Sequence, residues 1–274
     1  MNIKKVIPET NIVCVSPHYD DFLFFLGGYV LELKNQGLLE TKCFSNISTF
    51  SRTNYQERDI EGNKDQSLER VKYATGIRFI EDLECLDELV GLHNYGYLVM
   101  GEEESQVRGK AFNEGEGEME MAYGSYETLE PKDLEILERM EACIKELSAS
   151  EDTAIVLPLS MKGHIDHFIV REAGVRVMKG AADKKAAFYF AEDKPYAGLM
   201  NDSESADNDA FISEHKLKAY EFKHHPEEIL QLAYKHYPSQ IDSIYDEGVR
   251  NRNEQLKQIY KLETDCDRIY KYGQ

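Results

Sequence analysis

The chain has 274 residues, of which 42% are hydrophobic and 30% charged, enough to bury a full core without metals or disulfides as staples. Its formal net charge of −19 repels nucleic acid and anionic membranes, both of which bind through basic patches. No apolar run reaches the roughly 18 residues of a membrane span, and the start, MNIKKVIPETNIVCVS, lacks the features of a signal peptide. We therefore expect a cytoplasmic protein with no membrane span and no nucleic-acid partner. The five cysteines, Cys14, Cys43, Cys85, Cys143 and Cys266, are scattered, so any metal must be held by histidines and carboxylates rather than by a thiolate cluster.

Taken in chain order, NIVCVS (11–16) reads as a buried strand, and FLFFLGGYVLELKNQG (22–37) as a helix stopped at Gly37. A second strand is expected over 41–49, a helix over 64–76 and a short strand over 78–85. Residues 131–149 open at Pro131 and carry a helical Glu/Leu/Ile pattern. DTAIVLPLS (152–160) is the next buried strand, followed by a helix running to Gly180 and a strand over 184–192. Amphipathic helices are expected over 213–223 and 239–264, and HHPEE (224–228) reads as a helix end. No partner is evident for His93, His215 or His236.

Strands alternating with helices indicate an α/β fold, a Rossmann-like, mostly parallel sheet with helices on both faces. We expect one domain over 1–274. Within it, 93–130 is acidic and rich in glycine, and its apolar residues follow no period. That stretch reads as a solvated insertion; a lid using Tyr95, Tyr97, Tyr123 and Tyr126 is the sharper alternative.

Two short segments carry the chemistry. SPHYDD (16–21) follows the first strand, and GHIDHF (163–168) follows the strand at 152–160. Ligands bind parallel sheets where strands lead into helices at their carboxyl ends. His18 and Asp21 are spaced to converge on one point, with Asp20 projecting differently; His164 and His167 repeat the spacing around Asp166. One histidine and one carboxylate from the first segment, with one histidine from the second, make three ligands and an open position, as in a catalytic metal site. Taken alone, each segment is also readable as a polar helix cap. Both together, each after a buried strand, favour the metal.

At these residues the sequence resembles the LmbE-like, or PIG-L, de-N-acetylases. Their paired motifs correspond to SPHYDDFLFFLGG and GHIDHFIVREAG, and ERVKYATGI (69–77) and YPSQID (237–242) extend the likeness. Tyr19 and Ile165 stand where the family has proline, Phe22 where glutamate is common, and Lys162 where some relatives carry a tyrosine. The resemblance implies an LmbE-like fold and a zinc ion, or another divalent metal such as iron(II), held by His18, Asp21 and His167. It makes Asp20 the general base and later the acid, a charged His164 the stabiliser of the oxyanion, and Asp166 the group that orients a histidine. The implied reaction removes acetate from an N-acetyl amino sugar or glycoconjugate; a non-sugar N-acyl substrate, or metal binding without catalysis, stays open. Tyr19, Arg52, Asn54, Asp87 and Lys162 are the expected substrate contacts, with Tyr55 beside them. A homo-oligomer is compatible with the sequence.

Overall fold

The computed structural model describes residues 3–110, 122–180 and 183–273. Seven strands form one sheet: β1 (Asn11–Ser16), β2 (Cys43–Ser48), β3 (Tyr95–Val99), β4 (Thr153–Pro158), β5 (Ala187–Ala191), β6 (Leu217–Lys223) and β7 (Cys266–Tyr272). Their order is β3-β2-β1-β4-β5-β7-β6. The first five run parallel, and β7 and β6 close one edge as an antiparallel pair. The helices are α1 (Asp21–Asn35), α2 (Ile60–Lys64), α3 (Leu68–Leu89), α4 (Pro131–Ser148), α5 (Ile165–Gly180), α6 (Asp202–Glu214), α7 (Pro226–His236) and α8 (Ser243–Tyr260).

Successive strand side chains point to opposite faces, and here each face has its own core. Ile12, Cys14, Ala154, Val156, Tyr189 and Ala191 pack with α1, α3, α7 and α8. Their neighbours Val15, Ile155, Leu157, Phe188 and Phe190 pack with α4 and α5 on the other side. This double burial explains why the central strands read as unbroken apolar runs. The expected α/β sheet with helices on both faces is the observed one.

The chain leaves β1 on one side of the sheet to reach β2, and returns to lay β4 on the other side. The crevice between the carboxyl ends of β1 and β4 is therefore the topological switch point, where such sheets bind ligands.

Four expectations need correction. Residues 78–85 are not a strand: Arg78, Glu81, Asp82, Cys85, Leu86 and Leu89 are buried at helical spacing, and α3 runs through Gly76 to Leu89. The 213–223 helix is replaced by β6, which pairs with β7 along its whole length; α6 precedes it, and β7 was not anticipated. HHPEE starts a helix instead of ending one, with Pro226 in the first turn of α7 and His225 before it. The fourth concerns 93–130, which opens with an edge strand, β3, paired to β2. Its residues 102–110 pack beside the cleft, where Glu104 pairs with Arg78 and the Ser105 amide donates to Asp166, and 111–121 lie outside the described residues.

A buried polar network ties these strands to α3. Ser16 donates to Asn46, and Asn46 donates to Asp82. Asp82 also accepts from the hydroxyls of Tyr97 and Tyr237. Burial pushes the Asp82 carboxyl from 3.8 up to about 7, although the two tyrosines pull the other way. Between those values the native chain holds a proton that the unfolded chain has released, so this group costs stability as pH rises through the window. An Asp82→Asn variant removes the titration. Relative to the parent it should gain about 2 kcal/mol of stability between about pH 5 and about pH 8, read from urea unfolding. A difference that stays constant with pH would contradict this reading of Asp82.

Candidate active site

The loop after β1 turns directly into α1. Asp20 occupies the position before the helix, where an aspartate ordinarily caps the first amides, yet its side chain makes no capping hydrogen bond. It lines the cleft instead, 6% exposed. Asp21 accepts the backbone N–H of His18 at 2.7 Å, which folds the turn and brings both residues to one point. The loop after β4 passes through three positive-φ residues, Ser160, Lys162 and Gly163, before presenting His164 and entering α5 at Ile165.

Three donor atoms meet between the loops. His18 Nδ1 lies 3.2 Å from His167 Nε2, and each lies 3.5 Å from Asp21 Oδ2. Ligands about 2.0–2.1 Å from a tetrahedral ion stand about 3.3 Å apart, so this triangle fits a divalent metal. His164 is the other imidazole within reach, since His18, His164 and His167 offer nitrogens within 4.8 Å of one another. The triangle through Asp21 is tighter. In addition, Nδ1 of His164 is occupied by the Asp166 amide at 3.1 Å.

The second nitrogen of each candidate ligand faces a carboxylate. His18 Nε2 is 3.1 Å from Asp166, and His167 Nδ1 is hydrogen-bonded to Asp193. Such carboxylate–histidine pairs fix the tautomer and aim the free nitrogen at a metal. Asp166 is locked in turn by Arg108 at 2.7 Å and by the Ser105 amide at 3.0 Å. Asp193 accepts the Met161 amide, tying the two strand ends together.

Burial and charge pull the titrations in opposite directions. Burial would raise Asp166, but the Arg108 guanidinium and His18 hold it well below the carboxylate range. Burial likewise opposes charge on His18 and His167. Asp166 and Asp21 nevertheless raise His18 well above its ordinary value, and Asp21 and Asp193 raise His167. Without an ion, protons balance the carboxylates; metal binding releases such protons. Desolvation and the neighbouring Asp21 push Asp20 up to about 6, with Arg78 opposing. Burial lowers His164 well below its ordinary value. Its Nδ1 accepts the Asp166 amide, whereas the resemblance implies a charged ring.

The cleft is further lined by Tyr55, Arg78, Glu104, Lys194, Tyr196 and Tyr245. Of these only Tyr55 was singled out in the sequence. The loop bearing Tyr196 is seated by backbone on backbone: a Cβ on Gly198 would stand 1.9 Å from the carbonyl oxygen of Gly248 in α8. Glu104 belongs to the stretch expected to be solvated, but it is 5% exposed and pairs with Arg78 at 2.6 Å.

The five expected substrate contacts do not line the cleft. Tyr19 is buried, its hydroxyl donating to Ser51. Asn54 clamps its own loop through the carbonyls of Asn63 and Asp65. Arg52 pairs with Glu103, and Lys162 donates to the Leu199 carbonyl. Asp87 sits on α3 and accepts from Tyr95, because the expected strand before it is helix. The four tyrosines of the lid reading are likewise absent from the cleft wall: Tyr95 and Tyr97 lie on β3, and Tyr123 and Tyr126 are more than half exposed. Two histidines thought unpartnered do have contacts, His236 with Glu88 at 2.6 Å and His215 with the Phe211 ring.

No family model matches the sequence, and no curated protein matches it. Solved structures do. A deacetylase–teicoplanin complex from the teicoplanin biosynthesis pathway aligns with a TM-score of 0.60 at 16% identity, over 96% of this chain and 98% of that one. A zinc-inhibited teicoplanin deacetylase aligns at 0.61 and 16%, over 96% and 97%. The N,N'-diacetylchitobiose deacetylase from Pyrococcus horikoshii aligns at 0.55 and 11%, over 98% and 86%. What is shared at such identities is the architecture: this chain has the LmbE-like fold of those deacetylases.

Proposed function

We propose that the protein is a metal-dependent N-deacetylase acting on an N-acetyl amino sugar or a conjugate of one. The observation that carries this reading is the triangle of His18 Nδ1, Asp21 Oδ2 and His167 Nε2, with a further carboxylate, Asp20, beside it in the cleft. The fold shared with deacetylases of amino-sugar substrates supports it. His18, Asp21 and His167 would hold the ion, which we take to be zinc. When bound, such an ion supplies an acidified water and a polarised acyl carbonyl.

The chain's own residues do the remainder. Asp20 accepts the proton of the attacking water at its carboxylate and returns it to the amine nitrogen as the amide bond breaks. It can do so because neither a metal triangle nor a helix cap engages it. His164, neutral and accepting at Nδ1, turns Nε2–H to the oxyanion; one such preorganised donor is worth about 3 kcal/mol. Asp166 and Asp193 keep the two ligand imidazoles aimed. Arg108 keeps Asp166 ionised and in place.

Two variants test the assignment. Asp20→Asn should retain metal yet lose acetate release from N-acetylglucosamine or diacetylchitobiose by on the order of 100-fold or more; parent-like turnover would remove Asp20 from the base role. Asp193→Ala frees the His167 ring, and metal affinity by chelator competition should drop about 10–100-fold. Unchanged affinity would mean that Asp193 does not orient a ligand.

A further inference from the structure

Arg78 is a buried cation that neither motif explains. It lies on α3, 5% exposed, at the wall of the cleft. Three groups from three segments engage its guanidinium. Nε donates to Gln240 Oε1 at 2.6 Å, and Nη1 donates to Glu104 Oε1 at 2.6 Å and to Thr53 Oγ1 at 3.0 Å. The clamp is itself braced: Thr53 donates to Glu104 at 2.5 Å, and Gln240 donates to Glu81 at 3.0 Å. That leaves Nη2, which makes no hydrogen bond among the described residues and faces Asp20 Oδ1 at 3.9 Å.

A planar guanidinium has donors in fixed directions. With Nε and Nη1 pinned, the direction of Nη2 is set by Gln240, Glu104 and Thr53, and it points to Asp20. Asp20 has no capping bond to fix its rotamer. Arg78 is the cation that approaches it from outside its own loop. Separations of this kind tighten when a substrate closes a site.

We propose that Arg78 is a positioning residue for the deacetylation: the clamp formed by Glu104, Thr53 and Gln240 aims its Nη2 at Asp20 and fixes the carboxylate toward the attacking water. This rests on Asp20 being the base. Because proton transfer depends on that geometry and binding does not, the effect belongs in kcat.

The experiment compares the parent with Arg78→Ala and Arg78→Lys, measuring kcat, KM and bound metal with diacetylchitobiose. Arg78→Ala should lose on the order of 100-fold in kcat, with KM and metal content unchanged, and millimolar guanidinium should restore part of the loss. Arg78→Lys keeps a cation opposite Glu104, which protects folding. A single ammonium cannot face Glu104, Gln240 and Asp20 at once, so its kcat should also fall. Parent kcat in either variant, a loss confined to KM, or a loss that tracks metal content would overturn the proposal. Should the parent release no acetate from any N-acetyl substrate, the deacetylase reading fails separately. Crystal structures then decide on Arg78: an Asp20 carboxylate turned away in Arg78→Ala supports the clamp, and a superimposable one refutes it.

Discussion

A carboxylate taken out of water costs several kcal/mol unless a cation or a donor faces it, and Asp20, Asp21, Asp166 and Asp193 are all buried around one cleft. The surrounding architecture is arranged to meet that cost. Asp166 is held between His18 and Arg108, Asp193 between His167 and the Met161 amide, and Asp21 between the two imidazoles and the His18 amide. These contacts run between the segments that follow β1, β4 and β5, so satisfying the charges also fixes the relative positions of those strands. Asp20 is the exception: among the described residues its ion-pair partner is Nη2 of Arg78, no nearer than 3.9 Å. An underbound buried carboxylate is what proton transfer needs.

The charges fall into neutral groups once a divalent ion is counted. Its two charges match Asp20 and Asp21, Arg78 matches Glu104, Arg108 and Lys110 together match Asp166 and Asp133, and Lys194 matches Asp267. Most of the buried carboxylates around the cleft thus have a cation within reach, so the −19 of the whole chain does not describe the charge that a ligand meets in the cleft. A neutral substrate rich in hydroxyls suits such a site better than an anion, which agrees with an amino sugar.

Much of this was legible in the sequence because it is local. The His18–Asp21 and His164–His167 spacings lie within single turns, and the buried strands before them are continuous apolar runs, so both the parallel sheet and the converging loops could be read directly. What escaped notice was non-local. Arg78 meets Gln240 across 162 positions, and His167 meets Asp193 across 26. Asp193 had one usable signal, an acidic pair at the end of the apolar run AFYFA, the same place in a strand–loop unit as the two motifs. The reading of 78–85 as a strand has a clear origin as well: α3 buries Arg78, Glu81 and Asp82, and buried charges break the hydrophobic period on which pattern reading depends. Likewise, the acidic stretch after β3 looked solvated because Glu104 has its partner, Arg78, on a helix 26 positions earlier.

The donor triangle is the claim on which the functional reading depends, and anomalous scattering from crystals of the metal-loaded protein tests it most directly. The account predicts one divalent ion per chain, bonded to His18 Nδ1, Asp21 Oδ2 and His167 Nε2, with Asp20 and His164 outside the coordination shell. An ion held by His164 in place of Asp21, or no ion in the cleft of protein shown to bind metal stoichiometrically, would contradict it.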